Sequence, residues 1–485
     1  MINTAQVIDN QAESAAARRI SERLFTSMLV CVLALVLCVP TEAFANVQKT
    51  DVIAGQTVQE RGYSSSQCPS IDAKYAIATD QDGNVLFERS ADTASQIASM
   101  TKIMTAIVAI EYNPDLDMEV TVTSTAAKIG ESSAGLQKGD KMDMANALRA
   151  MMVASGNDAA QSIAAAVGAA MLQSEGGDSS DEDACVDRFV QAMNDKASEL
   201  GLSNTVFTNP HGLDYGEYKG DLHSTARDVA KEVAYAMKIK SFRDIVKQDS
   251  VVVTVTRGTS KTGLTLTSTD TLLDTYKGTI GVKTGYTKKA GACYAGANKR
   301  NGKEYYVVVM DSSSEEQRFA DAEAIWDWIY DNQKDYKLIN CSETVSATIN
   351  GKQGDYPLVA EVAHQDWPDR TIKATVADPD QTVNVYTWNG NVSEEVSYDN
   401  VTGTVHAGDK VGTITFKQHN ETIATVDLVA AEDVEAPDFL TGIGIFWQRL
   451  AAQITGGSTV AESKLYNETP YLVDKSDQTS SVSTE

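Results

Sequence analysis

Strand signals stand at both ends of a helical middle, and that order constrains the fold of this chain more than any other feature. AKYAIATDQDGNVLFERS, from Ala73, carries apolar residues on two arms around Asp82-Gly83-Asn84 and reads as a hairpin. Helical patterns follow at about residues 99–112, 143–154, 158–171 and 187–200. Strand signals then return in VVVTVTR, in TIGVKTGYT, and in ACYAGANKRNGKEYYVVVMDS, a second hairpin turning at Asn301-Gly302. A last helix, roughly Glu315 to Tyr330, closes the unit. Strands from both ends of such a segment must pair with each other, so the expected architecture over residues 71–335 is α/β: an antiparallel sheet covered by helices.

Beyond this unit the pattern changes. From 338 to 432 helical periodicity vanishes, and TVSATI, TIKATVA, VNVYTW, VGTITF and ATVDLVA alternate with Gly, Asp and Asn, as in a small all-β sandwich. Residues 436–455 place Phe439, Ile443, Phe446, Trp447, Leu450 and Ile454 on one side of a helix. Such a helix either packs on the β module or lies in a membrane interface, with Trp447 at headgroup level. Arg449 is its only basic residue, so attachment to the outer face of the cytoplasmic membrane would be hydrophobic. Residues 456–485, acidic and rich in Ser and Thr, read as a disordered tail, and 174–185 as a solvated acidic insertion.

At the other end, Met28 to Val39 form an apolar core between Arg18, Arg19 and Arg23 and the small-residue site Ala43-Phe44-Ala45. Residues 1–45 read as a secretory signal peptide or an uncleaved anchor, followed by a polar leader over 46–70. Either way the protein acts outside the cytoplasmic membrane. Of the six cysteines, Cys31 and Cys38 fall in the signal core. Cys68, Cys185, Cys293 and Cys341 remain, and they allow three pairings into two disulfides. A formal net charge of -26 argues against nucleic acid as a partner. The five histidines and the cysteines have no metal-site spacing, and neither metal nor cofactor is expected.

The chemistry is concentrated in three short motifs. In IASMTKIMTA, Ser99 and Lys102 stand three apart, so a helix brings hydroxyl and amine to one face. Alone this pattern is weak, but ASGNDAA supplies Ser155-Gly156-Asn157, and GVKTGYT supplies Lys283-Thr284-Gly285 on a strand with Tyr286 following. A second Lys-Thr-Gly, Lys261 to Gly263, lies in a polar hairpin tip and is set aside in favour of Lys283. Ser-x-x-Lys, Ser-x-Asn and Lys-Thr-Gly in that order are the signature of penicillin-binding proteins and class A β-lactamases.

The wider text, IASMTKIMTA, MMVASGNDAAQSIAAAVG, FTNPHGLD with HSTARDVA, and GTIGVKTGYT, resembles the serine-type D-alanyl-D-alanine carboxypeptidases, the low-molecular-mass penicillin-binding proteins of peptidase family S11. The β module and the amphipathic end resemble that family's C-terminal domain and membrane anchor. The resemblance implies a β-lactamase/transpeptidase-like fold and removal of the terminal D-alanine from peptidoglycan stem peptides, with β-lactams as covalent inhibitors. It implies Ser99 as nucleophile, Lys102 as proton acceptor, Ser155 as relay to the leaving amine and Asn157 as orienter. Lys283, Thr284 and Arg318 would face the substrate carboxylate; Arg318 is otherwise a helix-surface arginine. Gly285 would let substrate approach the strand, and the backbone N–H groups of Ser99 and Tyr286 would form the oxyanion site. His211 and His223 are read as structural. A class A-like β-lactamase and a D,D-endopeptidase or transpeptidase use the same motifs and are the competing readings; a wall-binding protein with a degenerate site is disfavoured because all three motifs are intact.

Overall fold

The computed structural model describes residues 46–472, so the signal-peptide reading lies outside the described residues. Two compact units divide at Ile325 and Trp326. The first is built on the expected antiparallel sheet. Its long strands are β1 (Tyr75–Asp80), β2 (Val85–Arg89), β5 (Thr279–Thr287), β6 (Gly291–Arg300) and β7 (Lys303–Ser312), in the order β2-β1-β7-β6-β5. The β1–β2 hairpin turns where Asp80 Oδ1 accepts from the backbone N–H groups of Asp82 and Asn84, both at 2.9 Å. β7 pairs with β1, joining the two ends of the unit through Val307↔Ala78 and Val308↔Ile77. β5, which carries Lys283 to Tyr286, pairs only with β6 and is left at the sheet edge.

The longer helices between β2 and β5 are α1 (Lys102–Tyr112), α2 (Met144–Met152), α3 (Asn157–Ser174), α4 (Glu182–Glu199) and α5 (Ala226–Ala236), with shorter ones at Lys240–Val246 and Leu272–Thr275. α1 is buried on nearly every face, from Lys102 to Ile110. It runs through the core against residues of α2, α3 and α5 instead of lying on the surface. The hairpin of β3 (Ser250–Arg257) and β4 (Ser260–Thr267) belongs to a separate four-stranded sheet. Its outer strand holds the second Lys-Thr-Gly, where Lys261 and Gly263 face solvent.

Residues 46–70, which read as a polar leader, are ordered here. Asp51 is fully buried and accepts from Arg89 Nε at 2.8 Å and Nη2 at 2.7 Å, while Arg89 Nη1 donates to the carbonyls of Ile71 and Ala73. An ion pair with every donor engaged is what burial of two charges requires, and it anchors the segment to β2.

The second unit begins within α6 (Gln317–Asp331), nearer the N-terminus than the boundary of 335 expected from sequence. The β region contains a six-stranded antiparallel sheet made by Ser393–Tyr398, Lys410–Gln418, Glu421–Ala430, Thr371–Val376, Ala360–Ala363 and Lys464–Leu465, in that order. The ribbon of Gln333–Lys337 with Thr382–Tyr386 shares a core with it through Tyr336 and Val385. The last strand corrects the tail reading for residues up to 472. Lys464 and Leu465 pair with Glu361 and Ala360, and the Asn467 amide donates to the Leu338 carbonyl at 3.0 Å. Backbone pairing and one buried amide order a stretch whose composition alone suggests disorder. α7 (Phe439–Thr455) forms as a continuous helix, N-capped by Asp438 on Thr441 N at 2.7 Å. Cys68, Cys185, Cys293 and Cys341 are all free thiols, so none of the three pairings is formed.

Candidate active site

Ser99 sits on a 3-10 turn, Ala98–Thr101, that leads into α1. Residues i and i+3 eclipse on such a turn, and Lys102 Nζ lies 2.7 Å from Ser99 Oγ. Two glycines clamp the turn. A Cβ on Gly212, which adopts φ +93, would stand 1.9 Å from the Ala98 carbonyl oxygen, and one on Gly285 would stand 2.8 Å from the Ile97 carbonyl and 3.2 Å from Ser99 N. The space above Gly285 is therefore filled by the backbone of Ile97 to Ser99, whereas the sequence reading assigned it to substrate. Ala98 is held at φ 47, a left-handed conformation uncommon for alanine and a form of strain found at functional sites.

Lys102 is fully buried. Its amine also reaches Asn157 Oδ1 at 2.7 Å and the His211 carbonyl at 3.0 Å. Asn157 opens α3 and is fixed in orientation because its Nδ2 donates to the Gly130 carbonyl at 3.0 Å. Burial first, and the charge of Lys283 second, hold the Lys102 pKa well below the ordinary lysine value, with Asp158 opposing. His211 is buried too, and its ring is held neutral, with a pKa of about 3, by burial and by Lys102.

Lys283 is 1 % exposed and donates to the Thr284 carbonyl at 3.1 Å. Burial, then Arg318, bring its pKa down to about 7. Arg318 is buried rather than on a helix surface; Nη1 donates to the Gly285 carbonyl at 3.2 Å and Nη2 to Glu315 at 3.1 Å. Thr284 Oγ1 lies 2.6 Å from Thr269 Oγ1. Behind them Asp270 accepts from Tyr294 Oη at 2.9 Å, and burial raises its carboxyl to about 6. Ser155, held at φ 58, lines the cavity but makes no hydrogen bond to either lysine.

One cavity of about 630 Å³ is lined by Ser99, Ser155, Asn157, Thr284, Gly285, Tyr286 and Arg318, with Lys102 and Lys283 buried directly beneath. Every site residue named from sequence converges there. The His211 carbonyl, Thr269 and Asp270 were not named. A backbone carbonyl leaves no residue-type signal, and the other two lie outside the three motifs. The arrangement joins a hydroxyl, a low-pKa amine and a cationic pocket, which suits acyl transfer on a peptide that ends in a carboxylate.

Comparison with known proteins agrees. The family model for D-alanyl-D-alanine carboxypeptidases, peptidase family S11, matches residues 63–314, just over half of the chain, and that for the penicillin-binding protein 5 C-terminal domain matches 374–436. D-alanyl-D-alanine carboxypeptidase DacF of Bacillus subtilis is 28% identical over 381 residues, 76% of this chain and 88% of that protein. A D-alanyl-D-alanine carboxypeptidase of Streptomyces sp. strain K15 is 35% identical over 253 residues, 51% of this chain and 82% of that one. The crystal structure of the D-alanyl-D-alanine carboxypeptidase DacD from Francisella tularensis, 20% identical with a TM-score of 0.50, covers 76% of this chain and 94% of its own, and shares the fold. With the fold, the three motifs and the family match in agreement, the chain belongs to the serine-type D-alanyl-D-alanine carboxypeptidases of family S11.

Proposed function

We propose that Ser99 forms the acyl-enzyme in removal of the terminal D-alanine from peptidoglycan stem peptides, with Lys102 as its base. The observation that carries this assignment is the set of three partners around Lys102 Nζ. A neutral amine has two hydrogens and one lone pair. Asn157 Oδ1 and the His211 carbonyl can only accept, so they take the two hydrogens and leave the lone pair facing the Ser99 hydroxyl. Burial, with the charge of Lys283, lowers the Lys102 pKa and so favours the neutral amine, the state from which a base acts.

Ser99 Oγ attacks the carbonyl between the two D-alanines, and its proton passes to Lys102. The oxyanion is taken by the backbone N–H groups of Ser99 and Tyr286. Ser155 passes a proton to the departing amine, D-alanine leaves, and water completes hydrolysis. Lys283, Thr284 and Arg318 hold the terminal carboxylate, whose arrival favours the charged form of Lys283. In the same reading residues 1–45 direct export. The apolar face of α7 holds the protein on the outer face of the cytoplasmic membrane, supported by exposure of Phe439, Phe446, Trp447 and Ile454 at 62 to 82%.

The test is release of free D-alanine from a stem peptide ending in D-Ala-D-Ala. Ser99→Ala lowers it by about 10⁴-fold or more, and benzylpenicillin-treated protein is inactive. Release unchanged in Ser99→Ala would show the nucleophile to be another residue, and fast penicillin turnover by the wild type would favour the β-lactamase reading.

A further inference from the structure

The cavity is electrically two-sided. Arg318 lines a cationic end with Lys283 buried behind it, and Lys288 and Lys289 line the cavity as well, Lys289 donating to the Asp214 carbonyl at 2.7 Å. Three carboxylates also line it; Glu315 has a cationic partner, and of the two that accept only from hydroxyls Asp214 is buried while Glu131 is exposed to the cavity and solvent. Asp214 accepts from the Thr287 hydroxyl at 2.7 Å, and Glu315 pairs with Arg318 at 3.1 Å. Glu131 accepts only from the neutral Tyr215 hydroxyl, at 2.9 Å, across 84 residues of sequence, and it has no cationic partner among the described residues.

Glu131 is also held in place. Gly130 and Ser132 on either side give their carbonyls to Asn157, to Nδ2 at 3.0 Å and to the backbone N at 2.9 Å. Asp158, next in the chain, accepts from Ser133 Oγ at 2.6 Å, Ala134 N at 3.0 Å and Leu136 N at 3.1 Å. Glu131 itself is in a left-handed conformation, φ 65, which a glutamate rarely adopts. The second motif thus fixes the carboxylate's backbone, while Tyr215, itself 41% exposed, orients its head through one solvent-exposed hydrogen bond. A carboxylate on the wall of a pocket that also offers cations to an anion fits a substrate with charges of both signs.

We infer that Glu131, oriented by Tyr215, selects stem peptides bearing a free side-chain ammonium on the residue that precedes D-Ala-D-Ala. Peptidoglycan stems carry a diamino acid at that position, and crosslinking acylates its side-chain amine, which abolishes the charge. Glu131 therefore biases the enzyme toward stems whose amine is not yet crosslinked. This inference rests on the carboxypeptidase reading and deepens it.

The experiment compares kcat/KM for D-alanine release from two peptides, L-Ala-γ-D-Glu-L-Lys-D-Ala-D-Ala and its Nε-acetyl form. The wild type favours the free amine by about fivefold, as one partly solvated ion pair allows. Glu131→Gln brings the ratio close to one, and Tyr215→Phe, which frees the carboxylate to move, lowers it part of the way. A wild-type ratio of one, or a ratio that survives in Glu131→Gln, overturns the inference and leaves the carboxypeptidase standing. So does accumulation of acyl-enzyme by Glu131→Gln with both peptides, which would assign Glu131 to hydrolysis of the intermediate. No D-alanine from either peptide with the wild type overturns the carboxypeptidase reading itself.

Discussion

At the scale of single residues, the site depends on how close the Ser99 turn lies to its neighbours. Gly285 needs no unusual backbone angle; what it lacks is a Cβ, and the Ile97 carbonyl and Ser99 N occupy that space. Gly285→Ala must therefore push the turn outward by a few tenths of an ångström or more, because strand β5 is pinned to β6 at Cys293. A misplacement that approaches 1 Å costs up to about 100-fold in rate, while the sheet pairing is untouched. Near-normal far-UV circular dichroism with D-alanine release reduced by up to about 100-fold is the expected result; unimpaired release would mean that the turn has room to move. The neighbouring thiol, Cys293, is fully buried, and burial lifts its pKa to about 12, so it offers no competing nucleophile.

At the scale of elements, the three motifs were legible because each is a run of side-chain types in fixed order. Sequence located the strand that carries Lys283 and separated it from the Lys261 run by the apolar residues Ile280 and Val282. It could not show the backbone groups that complete the site, the His211 and Gly130 carbonyls, since any residue supplies a carbonyl. Nor could it see long-range pairings: Asp51 with Arg89 orders a stretch that composition calls a leader, and Glu361 with Lys464 orders part of one it calls a tail. The amphipathic pattern of α7 was legible, and Ile445 is its one buried residue. Arg449, the one cation of α7, gives one Nη bond to the Gln365 carbonyl and keeps its charge, so at most about 1 kcal/mol of attraction to anionic lipid is available. Binding of the protein to phosphatidylcholine vesicles should then depend only weakly on salt and on added anionic lipid. Replacing Phe446 and Trp447 with serine removes roughly 3 to 6 kcal/mol of burial in the interface and should release the protein into the supernatant in a sedimentation assay. Binding that persists in the double variant would place attachment elsewhere.

At the scale of the whole molecule, stability has a component set by one acid in the core of the first unit. Glu232, on α5, is fully buried, and neither carboxyl oxygen has a well-formed hydrogen bond. Burial and then the charge of Asp228 raise its pKa well above the ordinary carboxyl value, against a smaller opposing effect of the Met104 backbone. The folded state thus holds a proton that the unfolded chain releases near the normal carboxyl pKa. Its contribution is fully present below about pH 4 and is lost as pH rises toward the folded pKa, the reverse of the paired carboxylates such as Asp140, whose pKa is lowered beside Arg257. Glu232→Gln keeps the shape and removes the ionisation. The stability of the variant relative to wild type should therefore rise with pH, with a limiting slope of about 1.4 kcal/mol per pH unit. Urea unfolding should be followed by the helix signal, because most helices lie in the first unit while all five tryptophans, from Trp326 onward, lie in the second. A constant difference between the two proteins across pH 5 to 8 would mean that Glu232 is ionised in the folded state, and that a cation or water reaches it within the core.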